Sequence, residues 1–162
     1  MTKKLLLLST GGTIASVVSD EGLAPGESGE ELIKMLGRLE YDITVRDILE
    51  LDSSNIQPEE WKIIAEAIYD HRNEYDGIVV SHGTDTMAYT ASMLTFMLQH
   101  INIPVVLTGS QVPMNVILSD APDNLRLAFA AAANCEPGVY IAFNRKVIRG
   151  CRSVKVRTTA FD

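Results

Sequence analysis

Apolar residues run without alternation at Leu5–Leu8, Ile78–Val80, Pro104–Leu107 and Val139–Phe143. Such runs read as strands buried on both faces, as in a parallel sheet covered by helices. The stretch Asp42–Leu51 alternates in part, through Ile43, Val45 and Ile48, and reads as a further strand. Between the runs the period changes. Leu32, Ile33, Met35, Leu36 and Leu39 fall on one helical face, as do Trp61, Ile64, Ala65 and Ile68. Helices are predicted from Ser28 onward, from Pro58 to about Asn73, from Met87 to about Gln99, and over Pro122–Asn134. Ser28 and Glu31 have capping-box spacing. Pro58-Glu59-Glu60 combines a first-turn proline with acids at the positive end of the helix dipole. Ser16–Gly29 reads as a surface loop that could close as a lid. Lys146–Ile148 and Val154–Val156 read as late strands, with a hairpin about Asn144-Arg145.

Alternation of strand and helix predicts a doubly wound α/β domain with a mostly parallel sheet and a late β-hairpin. The length of 162 residues suits one domain, 1–162. A formal net charge of −7 argues against general nucleic-acid binding, though not against a small zwitterionic ligand. Cys135 and Cys151 are too few for a disulfide framework, and His71, His82 and His100 lack metal spacing. No apolar run approaches membrane-spanning length and no secretory leader is legible, so the expectation is a cytoplasmic protein without a membrane partner.

In a doubly wound sheet, ligands bind beyond the carboxyl ends of the strands. Four predicted strands end in hydroxyl and glycine clusters there: Thr10–Thr13, Asp52–Ser54, Ser81–Thr86 and Thr108–Gln111. The glycines do not form a dinucleotide fingerprint or a phosphate loop, and no Gly-x-Ser-x-Gly elbow is present. This edge is therefore read without metal or cofactor. Thr13 offers a hydroxyl nucleophile beside Gly11-Gly12, and such a hydroxyl needs a base. His82 is read two ways, as that base or as a structural histidine. Lys155, beside Thr84 and Asp85, is a second possibility. By itself it is equally a solvated surface lysine.

Thr10-Gly11-Gly12-Thr13-Ile14-Ala15 and His82-Gly83-Thr84-Asp85-Thr86-Met87 resemble the two signatures of the L-asparaginase family. The longer run His82–Leu94, Leu51-Asp52-Ser53-Ser54, Val106–Gln111 and Lys155 fit as well. The likeness spans the chain and is closest to cytosolic type I bacterial and archaeal enzymes. It implies a flavodoxin-like N-terminal catalytic domain and hydrolysis of asparagine through a Thr13 acyl-enzyme. It further implies a second catalytic group of Thr84, Asp85 and Lys155, with no cofactor. Asp85 would face the substrate ammonium. Ser53, with Asp52, Ser54 and nearby backbone N–H groups, would hold the α-carboxylate. Backbone N–H groups around Gly12 and Thr84 would stabilise the oxyanion, and His82 would be a packing residue.

Two departures stand out. Gly22-Leu23-Ala24-Pro25 has Leu23 where the family often carries a tyrosine, and Thr10 is the hydroxyl that could replace it. Family members also continue past a Phe-Asp like Phe161-Asp162 into a smaller C-terminal domain that helps hold the ammonium. The expectation is therefore weak or no turnover by the chain alone, and either a homo-oligomer or pairing with such a domain. Two further readings remain open. One is a glutamine amidase of the type found in the glutamyl-tRNA amidotransferase, whose related chain normally has an extra N-terminal segment. The other is a non-catalytic fragment that binds asparagine or pairs with another chain.

Overall fold

The computed structural model describes residues 2–19, 22–25, 28–51 and 53–152. Its main sheet has six strands: β1 (Lys4–Gly11), β4 (Asp42–Leu51), β5 (Gly77–Ser81), β6 (Pro104–Thr108), β7 (Gly138–Phe143) and β8 (Lys146–Arg149). They lie in the order β4-β1-β5-β6-β7-β8, parallel throughout except for the antiparallel edge pair β7–β8. Asn144 and Arg145 turn the β7–β8 hairpin with φ of 49° and 62°, the left-handed pair that matches strand twist. The stretch read as a loop after β1 instead holds a small antiparallel pair, β2 (Ser16–Ser19) with β3 (Gly22–Pro25). Its four-residue strands carry too little apolar periodicity to stand out between polar and glycine residues.

Four helices cover the sheet: α1 (Gly29–Leu36), α2 (Pro58–His71), α3 (Met87–Met97) and α4 (Ala121–Asn134). The predicted capping box is present. Glu31 N–H donates to Ser28 Oγ, and Ser28 N–H donates to the Glu31 carboxylate. Strand parity divides the core in two. Leu5, Leu7, Val79 and Val106 pack with Leu32 and Leu36 of α1 and with Leu125, Ala128 and Phe129 of α4. Leu6, Leu8, Ile78, Val80, Val105 and Leu107 pack with Ile64 and Ile68 of α2 and with Met87, Ala91 and Leu94 of α3.

This division fixes the hand of each crossover. From β5 to β6 and from β6 to β7 the chain steps the same way along the sheet. Yet α3 and α4 lie on opposite faces, so the two connections have opposite hands. The α1, α2 and α3 crossovers share one hand, and right-handed crossovers prevail in parallel sheets. The α4 crossover is the left-handed one. Its long lead-in, residues 109–120, crosses the carboxyl edge of the sheet before α4 begins.

Candidate active site

The four predicted clusters do gather at one edge. Register pairs Ser9 with Ser81 and Ser81 with Thr108, and Gly11 with Leu51 after a register shift. Beyond these partners the chain leaves the sheet at Gly12, Asp52, His82 and Gly109. Gly11 and Gly12 have φ of +97° and +87°, which ends β1 abruptly. Gly12 N–H donates to Leu51 O at 2.9 Å. Thr13 then opens a short 3-10 turn, Thr13–Ala15, half-buried itself while Ile14 and Ala15 are buried.

The two long motifs meet through their glycines. A Cβ on Gly12 would lie 2.5 Å from Gly83 N and 2.6 Å from its Cα. Only hydrogen at that position permits this approach. Thr13 and Thr84 are each one residue from the contact. Thr84 is buried, Asp85 is exposed, and both lead into the N-terminus of α3. Gly109 closes in from β6: a Cβ there would lie 2.2 Å from His82 O and 3.5 Å from Thr84 Cγ2.

The structure brings Gly12, Thr13, Thr84 and Asp85 to one place. Ser53 and Ser54 begin the 3-10 turn after β4, with Ser54 exposed. Asp52 and Lys155 lie outside the described residues, and so does the strand read over Val154–Val156.

His82 is not a base. Its Nδ1–H donates to Gly83 O at 2.7 Å, and its Nε2 lies 2.9 Å from Thr90 Oγ1. Trp61 Nε1–H donates to the same Thr90 oxygen at 2.8 Å, so the Thr90 hydroxyl donates to His82 Nε2. Both ring nitrogens are used. Burial pushes the imidazole pKa from 6.5 down to about 4, opposed in part by the bond to Gly83. The ring is neutral and structural. Thr10 is no substitute for a tyrosine either, because it is buried and its hydroxyl donates to Ser81 O at 2.6 Å.

Sequence reading missed the polar braces under this edge. Asp120 accepts from Gln111 N–H and Val112 N–H. Ser110 and Ser119 hydroxyls both donate to Val112 O. Among the described residues, two buried polar atoms lack a hydrogen-bond partner, Ser81 Oγ and Gln111 Nε2, and both belong to this edge.

The family model "Asparaginase, N-terminal" matches residues 4–162. The chain belongs to the asparaginase family. Among solved structures it resembles the thermostable L-asparaginase from Thermococcus kodakarensis, with 47% identity and a TM-score of 0.91, over 98% of this chain and 49% of that one. The probable cytoplasmic L-asparaginase from Campylobacter jejuni has 33% identity and a TM-score of 0.84, over 98% of this chain and 50% of that one. A glutamyl-tRNA(Gln) amidotransferase of Thermoplasma acidophilum is 38% identical, over 99% of this chain and 42% of that protein. The chain spans about half the length of the asparaginase relatives it matches. Their shared α/β sheet is the asparaginase N-terminal domain. Among the described residues of this asparaginase domain, no helix is long and apolar enough to cross a membrane, and no acid, histidine and cysteine group could hold a metal.

Proposed function

We propose that this domain, residues 1–162, carries an asparaginase-type active site that hydrolyses L-asparagine to L-aspartate and ammonia. The observation that carries the reading is the Gly12–Gly83 backbone contact, which joins the Thr13 turn to the Thr84 loop. Thr13 Oγ attacks the side-chain amide carbon, and its proton passes to the departing nitrogen. The tetrahedral oxyanion is met by backbone N–H groups around Gly12 and Thr84. Ammonia leaves and a Thr13 ester remains. Water then attacks the ester, aspartate departs, and the proton returns to Thr13 Oγ. Lys155 polarises Thr84 to handle these protons, and Asp85 balances the lysine charge while facing the substrate ammonium. Ser53, with Asp52 and Ser54, holds the α-carboxylate.

The domain acts in the cytoplasm, with neither nucleic acid nor membrane as partner, and as a homo-oligomer or paired with an asparaginase C-terminal domain. Exposed apolar side chains support such pairing: Tyr89 and Phe96 on α3, and Ile117 and Leu118 on the lead-in to α4. The chain alone turns over weakly or not at all, since an incomplete site loses orders of magnitude. The amidotransferase relative supports a second reading, in which the amide cleaved is that of glutamine.

The test is ammonia release from asparagine and from glutamine, by the chain alone and mixed with the C-terminal half of the T. kodakarensis enzyme. Thr13→Ala removes one half-buried hydroxyl and is expected to abolish release while leaving the fold intact. Undiminished release by Thr13→Ala would sink the reading.

A further inference from the structure

Asn124 stands on the first turns of α4 and is 2% exposed. Its side-chain amide is fully engaged. Nδ2 donates to Gly109 O at 2.9 Å and to Asp120 Oδ2 at 3.2 Å, while Oδ1 accepts Asn144 N–H at 3.1 Å. One residue thereby ties together α4, the end of β6 and the β7–β8 turn. Thr108 adds to the joint, donating its hydroxyl to Ala142 O at 2.7 Å.

The ties converge on Gly109, which has no free space on the side facing the Thr84 loop. A Cβ there would sit 2.2 Å from His82 O and 3.5 Å from Thr84 Cγ2. His82 N–H also donates to Thr108 O at 2.8 Å. Gly109 can therefore move only away from Thr84, and the Asn124 amide opposes that movement. The left-handed crossover makes the brace necessary. The 109–120 lead-in has no strand partner along the sheet edge, so side chains must hold it.

We infer that Asn124 is a positioning residue, acting through Gly109 to hold Thr84 in place. For catalysis this rests on the reading of Thr84 as part of the second catalytic group. A displacement of about 1 Å at a reacting group can cost on the order of 100-fold in rate. Asn124→Ala removes the brace while keeping a good helix former.

The test compares Asn124→Ala with Leu125→Ala, which opens a cavity in the neighbouring turn of α4 without touching Gly109. The first readout is the amide proton–nitrogen spectrum of the 162-residue chain, which needs no turnover. Asn124→Ala is expected to shift the Gly109 and Thr84 resonances, and Leu125→Ala to leave Thr84 in place. The second readout is ammonia release in the mixed two-half system. There Asn124→Ala is expected to lower kcat about 10- to 100-fold with KM within about threefold, against near-normal kcat for Leu125→Ala. If Asn124→Ala does not fold, Asn124→Asp keeps the volume and the acceptor but sets an oxygen against Gly109 O, and the same shifts are expected. An unmoved Thr84 resonance, or equal kcat losses in both α4 variants, overturns the inference. Thr84→Ala separates the two proposals: undiminished ammonia release by that variant removes Thr84 from the chemistry, while the spectra still decide what Asn124 holds.

Discussion

Gly12 and Gly83 touch backbone to backbone, and a Cβ on Gly12 would lie 2.5 Å from Gly83 N. Two segments some seventy positions apart in sequence are thereby locked at van der Waals distance. Gly12→Ala faces both a φ of +87° and a rigid neighbour. The left-handed conformation costs about 1–2 kcal/mol and the overpacking about 1–3 kcal/mol. Gly37 provides the comparison. It has a φ of +77° but nothing within 4 Å of its Cβ position, so Gly37→Ala carries only the backbone cost. Urea unfolding should show Gly12→Ala less stable than Gly37→Ala by about 2 kcal/mol. Equal losses would mean that the contact yields.

Period and punctuation made most of this fold legible. The uninterrupted runs at Leu5–Leu8 and Ile78–Val80 are wholly buried because both faces of the sheet carry helices. The clusters after them collect at one edge because the strands are parallel. The face taken by α4 was not legible, since an apolar helix stripe does not record which side of a sheet it covers. Nor were the braces of Asn124 and Asp120, since a buried asparagine looks in sequence like any helix-surface amide. His82 had two readings because its chemistry depends on whether both nitrogens are occupied, and Trp61 and Thr90 decide that from other elements.

His82 should leave a mark on stability as a function of pH. Its pKa is about 4 in the folded chain and 6.5 as a free side chain. The unfolded state therefore binds a proton that the folded state refuses as pH falls from 6.5 to 4, and stability is lost across that window. Above about pH 6.5 the residue contributes no slope. The full loss amounts to about 3 kcal/mol at about pH 4 and below. Carboxylates also titrate there, so the measurement is a difference. In His82→Asn, whose amide can still donate to Gly83 O, this part of the slope should vanish. Parallel urea midpoints for both proteins from about pH 7 to 4 would contradict the assignment.

Thr90 links the single tryptophan to that histidine. Thr90→Val keeps the shape but leaves Trp61 Nε1–H and His82 Nε2 unpaired in a buried place. Unmet polar groups cost about 1–3 kcal/mol each. Trp61→Phe removes one donor and leaves Thr90 bonded to His82. Thr90→Val should therefore lower stability more than expected from its unchanged volume, by about 3 kcal/mol. A loss of no more than about 0.5 kcal/mol, the low end for a single hydrogen bond, would show that water replaces the hydroxyl.

Gly77 tests how closely α4 lies on the sheet. In the interior of an ordinary strand, glycine to alanine is expected to stabilise by about 0.5–1 kcal/mol through lost backbone freedom. At Gly77 the sign should reverse. A Cβ there would lie 2.1 Å from Ala132 O and 2.8 Å from its carbonyl carbon. The obstacle is helix backbone, which cannot rotate aside as a side chain would. Ala128, Ala131, Ala132 and Ala133 bring that backbone down onto β5 and β6. Either α4 must lift, opening the alanine face, or the strand must bow. Gly77→Ala should destabilise by about 3 kcal/mol in urea unfolding. Because a lifted α4 would carry Asn124 with it, the variant should also shift the Gly109 amide resonance, although position 77 lies at the opposite end of β5 from the site.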